Sequence, residues 1–140
     1  MNYYDIYKLV KSEDLNHHGT LFAGRMSEWF VESCFIAAAN EYKHPENLVC
    51  VKVHELNFNS PIKKGDIIHI QTKICYVGKT SLTAYGKVIR NDDDRILVDG
   101  FLTFVCIDGK GVKMPHNLVL DKVKNEEDLK LIEKVKSFRG

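Results

Sequence analysis

Residues 15–34 read LNHHGTLFAGRMSEWFVESC, which sets Asn16, His17, His18, two glycines, Arg25, Glu28 and Glu32 at the entrance to an apolar stretch. Histidine changes charge near neutrality and a carboxylate such as Glu32 can take up a proton, so the segment holds candidates for general acid–base work. Where such a segment opens a helix, the N–H groups of the first turn lack intrahelical partners and favour negative charge. A glycine at position 24 lets a ligand approach that backbone closely. Each residue also has an ordinary structural use. Asn16 can hydrogen-bond its own loop and the glycines can shape a tight entry to the helix. The two histidines can be hydrogen-bonded loop structure, and Glu32 can pair with Arg25 on a solvated polar stripe shared with Glu28.

The elements that must position these groups follow from periodicity. Over residues 24–42, Met26, Phe30, Cys34 and Ala37 recur at steps of three and four, and Val31, Phe35 and Ala38 widen the same face. That spacing predicts a helix buried on most sides. Pro45, which has no backbone donor, and the NEYKHPENL segment around it mark a loop beyond the helix. Residues 5–10 predict a short strand, and residues 48–57, 66–77, 81–90 and 95–107 predict four more, divided by PIKKGD, VGKTS, RNDDDR and DGKG. In the second of these four, Ile68, Ile70, Thr72, Ile74 and Tyr76 share one face, and Ile67, His69, Gln71, Lys73 and Cys75 the other. Near the end, Leu129, Ile132, Val135 and Phe138 repeat amid charge, as in an amphipathic surface helix. Strands joined by short turns favour an antiparallel sheet, which buries its apolar face by wrapping the long helix.

A chain of 140 residues, 44% of them hydrophobic, is long enough for one cored domain over 1–140 and too short for two. Twenty basic residues against nineteen acidic ones leave a net charge of +1, which recruits neither nucleic acid nor an anionic membrane. No apolar run approaches the roughly 20 residues that span a bilayer, and the N-terminal segment lacks a signal-peptide core, so a soluble, cytoplasmic protein is expected. Cys34, Cys50, Cys75 and Cys106 fall singly in apolar segments. They read as small buried hydrophobes of a reducing compartment, with neither metal nor cofactor implied.

NHHGTLFAG leading into a buried helix, then FNSPIKKGD, VGKTS and LTFVCID, in that order, resemble the hotdog-fold acyl-CoA thioesterases over residues 16 to about 115. The resemblance implies an α+β hotdog fold in which a long central helix is wrapped by an antiparallel β-sheet. It also implies homodimers that often assemble further, with sites where the start of one subunit's helix faces the other subunit. Acyl-CoA is then the substrate, hydrolysed to free acid and CoA. Gly78, Lys79, Thr80 and Ser81 resemble a loop near the coenzyme A chain, and Lys64, with Lys63, can meet its phosphates as a point charge. N–H groups near Gly24 can receive the developing oxyanion, and Asn16 matches a polar family position suited to orienting water or the carbonyl.

The chain departs from the family at one residue. An aspartate usually stands seven positions after the last glycine of the first block, and Val31 stands there instead. Glu32 is the nearest acid and the expected base, with His18 a further candidate, although one helical residue is a rotation of about 100°. Two other readings stay open. Some hotdog dehydratases place a histidine fourteen residues before a helix glutamate, as His18 and Glu32 are placed here. A hotdog domain without its acid can also bind acyl-CoA without turning it over.

Overall fold

A computed structural model describes residues 1–138. Its elements are β1 (Tyr4–Leu9), α1 (Ala23–Tyr42), β2 (Leu48–Phe58), β3 (Ile67–Val77), β4 (Ser81–Arg90), β5 (Ile96–Cys106) and α2 (Glu126–Ser137), with short 3-10 turns at Ser12–Asp14 and Pro45–Asn47. The five strands form one sheet in the order β1-β3-β4-β5-β2, and every pairing is antiparallel. The helix expected from residue 24 begins one residue earlier, and the strands agree with their expected spans to within a residue.

α1 lies across the sheet because its step of three and four residues points one face at it. Met26, Phe30, Cys34 and Ala38 are buried against Ile68, Ile70 and Ile74 of β3, Leu82, Ala84 and Val88 of β4, and Leu102 and Phe104 of β5, and Ala37 is also buried. The closest approach is at Gly86, where a Cβ atom would lie 2.6 Å from the Phe30 ring. The Thr72 hydroxyl donates to the Ser33 carbonyl at 2.8 Å and ties the helix midpoint to β3. α1 stops at Lys43, which takes a left-handed φ of 68° and donates its N–H to the Ala39 carbonyl, so the helix is closed before Pro45 is reached. This is the α+β hotdog arrangement that the resemblance implies.

Three expectations need correction. First, Lys73 lies on the face read as mixed, yet it is buried beside Cys75, whose burial was expected, because α2 covers that end of the outer sheet face. Lys73 is 6% exposed, with its ammonium 2.7 Å from Asp128, 3.2 Å from Glu127 and 4.4 Å from the Tyr3 ring centre. The Lys73 hydrogen bond holds the Asp128 carboxyl below its ordinary value, and burial pushes the Cys75 thiol up to about 12. Second, Val135 and Phe138 of the expected stripe pack on the sheet, but with Leu131, a step of four before Val135, in place of Leu129, which is exposed. A strict step of three drifts around a 3.6-residue helix. Third, Cys50 is exposed on β2, whereas Cys34, Cys75 and Cys106 are buried; all four are free thiols.

Among the described residues no helix is long and apolar enough to cross a membrane. Gly86→Ala is expected to destabilise the fold by about 1–3 kcal/mol, since the added methyl group overlaps a fully buried ring with nowhere to turn. A urea midpoint shows this directly, and a midpoint equal to wild type would mean the ring is not seated there.

Candidate active site

The loop that carries the histidines is built by its own backbone. Leu21 donates to the Ile62 carbonyl at 2.7 Å, Phe22 to the Asp14 carbonyl at 2.9 Å, and Asn16 to the Thr20 carbonyl at 2.7 Å. Asn16 works for this loop: its side-chain oxygen accepts from the N–H of His18 at 2.8 Å and of Thr20 at 3.2 Å, and its amide donates to the Thr20 hydroxyl at 3.0 Å. His17 and His18 are exposed, with ring centroids 3.9 Å apart.

The loop feeds into an uncapped helix. Phe22 stands at the N-cap of α1 with no side-chain capping bond, and the first turn holds no acid. The first N–H to find a backbone partner there is that of Met26, 3.0 Å from the Phe22 carbonyl. The N–H groups of Ala23, Gly24 and Arg25 precede it, at the positive end of the helix. A Cβ on Gly24 would lie 2.6 Å from the Phe22 ring, which is itself 54% exposed and free to swing.

The two acids of the polar stripe have no ion-pair partner among the described residues. Arg25 does not pair with Glu32: its Nε lies 3.6 Å from the buried carboxylate of Asp14. Glu28 and Glu32 are exposed. Val31 is half-buried against the core, so the place of the family's acid is filled by packing.

The residues expected to meet coenzyme A divide between two ends of the sheet. Lys64 is exposed in the turn before β3, beside the helix start, where Thr20 bridges to Lys63. Gly78, Lys79, Thr80 and Ser81 form the turn after β3, closed by the Gly78 N–H on the Ser81 carbonyl at 2.9 Å. The eleven residues of β3 lie between the two turns. At about 3.3 Å of rise per residue, its ends are roughly 33 Å apart. One chain therefore gathers Asn16, His18, Gly24 and Lys64 at one end and Gly78, Lys79, Thr80 and Ser81 at the other.

A feature the motifs did not reveal is the apolar character of one of the sheet's two edges, β2. β2 is an outermost strand, with Val51 54% and Val53 46% exposed and Val49 and Phe58 also open. Beside it, Phe35, Ile36 and Ala39 of α1 line a surface groove. An open, apolar edge is an invitation to pair with another strand. The VCVKV run at 49–53, apolar without clean alternation, was the available signal. Among the described residues no group of His, Cys, Asp and Glu is placed to hold a metal ion.

A helix wrapped by a five-stranded antiparallel sheet, with an open helix N-terminus at one end, defines a hotdog domain. The thioesterase superfamily model matches residues 18–97, and the chain belongs to that family. An acyl-CoA thioester hydrolase of Bacillus subtilis, YkhA, itself uncharacterized, is 27% identical over 128 residues, covering 85% of this chain and 73% of that one. The cytosolic acyl coenzyme A thioester hydrolase of Mus musculus is 26% identical over 125 residues, and the match spans only 32% of its length. Among solved structures, an apo hexameric acyl-CoA thioesterase superposes with a TM-score of 0.87 at 23% identity, over 98% of this chain and 88% of the other. An acyl-CoA hydrolase from Staphylococcus aureus, in complex with butyryl coenzyme A, coenzyme A and coenzyme A disulfide, gives 0.85 at 22% identity, over 97% and 80%. At such identities the structures speak for the fold.

Use of the helix N-terminus by a thioester carbonyl predicts the behaviour of Gly24→Ala. Alanine suits a helix better than glycine and the exposed Phe22 ring can yield, so the thermal midpoint should not fall. Thioester hydrolysis should drop about tenfold or more as the methyl group shields the N–H groups. Unchanged hydrolysis would move the carbonyl elsewhere.

Proposed function

We propose that the protein is a cytoplasmic acyl-CoA thioesterase, a single domain over residues 1–140 that works as a homodimer joined along β2. The observation that carries this reading is the separation of the two half-sites: the open helix start and the Gly78 turn stand at opposite ends of β3. Two copies paired antiparallel along the apolar β2 edge bring one copy's helix start beside the other copy's turn. The pairing also removes Val49, Val51, Val53 and Phe58 from water and satisfies the edge backbone. The thioester hydrolases among the similar proteins support the chemistry, and the hexameric structure fits a dimer that assembles further.

In this reading the N–H groups of residues 23–25 polarise the thioester carbonyl and take the charge of the tetrahedral intermediate. Glu32, exposed and without an ion-pair partner among the described residues, removes a proton from the attacking water. Asn16 shapes the loop that leads into the site, and its amide and His18 border the approach of water. The partner's Gly78, Lys79, Thr80 and Ser81, with Lys64 on the helix side, receive the coenzyme A chain, the lysines meeting its phosphates.

Thiol release from a panel of acyl-CoA esters tests this. Wild type should release thiol, and Glu32→Gln should lower kcat about a hundredfold or more. If wild type is silent and Val31→Asp turns the esters over, the chain is a thioesterase scaffold that binds without hydrolysing. Val53→Lys, which puts a charge on the proposed seam, should yield monomers by light scattering and abolish turnover. An active monomer would rule out the two-chain site.

A further inference from the structure

His116 lies beyond β5 in a segment with no regular secondary structure, yet it is only 6% exposed and is fully hydrogen-bonded. The Leu118 N–H donates to its Nδ1 at 2.9 Å, so that nitrogen carries no proton. The ring proton therefore sits on Nε2, which donates to the Ser81 carbonyl at 3.0 Å. The backbone N–H of His116 also donates to the Lys79 carbonyl, at 3.3 Å. Between these two, the Thr80 carbonyl accepts from the Cys106 N–H at 2.8 Å. Three successive carbonyls of the Gly78 turn are thus anchored to the body of the protein, two of them by one histidine. Pro115 before it and Asn117 after it, at a φ of 61°, fix the backbone that carries the ring.

The hairpin needs such an anchor. A turn closed by a single hydrogen bond of its own is a loop tip, and loop tips are mobile. A mobile turn that receives a ligand must be ordered at the moment of binding, which weakens affinity, and fixing it beforehand removes that cost. Histidine suits the position because one rigid ring donates to Ser81 and accepts from Leu118 at once. Glutamine can supply the donor, and phenylalanine fills the volume while supplying neither.

We propose that His116 is a positioning residue: its neutral imidazole pre-organises the Gly78 turn that grips coenzyme A in the partner's half of the site. The proposal rests on the thioesterase reading above. It adds that the segment after β5, outside every motif of the sequence, sets affinity for the carrier half of the substrate and not for the acyl half.

The test compares one acyl group on two thiols, coenzyme A and N-acetylcysteamine, which lacks the nucleotide and its phosphates. Turnover of both by wild type examines the thioesterase reading itself. In His116→Phe, the preference for the coenzyme A ester, measured as the ratio of the two kcat/KM values, should fall about tenfold, carried by KM. His116→Gln should recover part of that preference, and it carries the test alone if the phenylalanine variant does not fold. Should wild type turn over neither ester, free coenzyme A binding by calorimetry replaces kinetics, with about a tenfold weakening expected in the variants. Equal losses on both esters, or an unchanged preference and affinity, would overturn the proposal.

Discussion

The constraint on which the rest depends is the length of α1 and its direction along the sheet. Twenty residues of helix extend about 30 Å, close to the span of the strands beneath it. The helix can lie there because Gly86 leaves room for the Phe30 ring and Thr72 grips the Ser33 carbonyl. Once it does, its positive N-terminus is fixed at the end marked by Ile62 and Lys63, and the Gly78 turn at the end marked by Cys106. Under the proposed function, a carbonyl at the first and a phosphate at the second could not belong to one substrate on one chain. The unpaired β2 edge offers the remedy, since an antiparallel two-fold axis there exchanges the ends.

Much of this architecture was legible in the sequence. The three-and-four spacing of Met26, Phe30, Cys34 and Ala37 sets the helix and its buried face, and turn residues separate the strands cleanly. What escaped depends on contacts between distant segments. Lys73 is buried by a helix more than fifty residues away in the chain. Arg25 turns to Asp14 because the loop brings that carboxylate beneath the helix start, so the local pairing with Glu32 does not form. The candidate site divided in the same way. Its residues were nameable from composition and resemblance, but strand length separates them, and no local pattern records that. His116 had no sequence signal, because its role is its contact with a turn thirty-five residues earlier.

Val31 sharpens the chemical question. A buried aspartate gains basicity from desolvation, whereas Glu32 is exposed and Val31 packs on the core. A solvated glutamate is a weak base unless a second chain covers it. In the proposed dimer, the interface that would complete the coenzyme A site would also supply the surroundings in which Glu32 can act, so both halves of the proposed chemistry rest on it.

Complementation between two disabled chains measures that interface most directly. One chain carries Gly24→Val, which blocks the helix start, and the other carries Lys79→Glu, which repels phosphate at the turn; each alone should be nearly inactive at low substrate. Co-expressed with different tags, the two should regain about a quarter of wild-type activity, since half of random dimers are mixed and each mixed dimer holds one intact site. Activity that stays at the level of the separate variants would contradict a site shared between two chains.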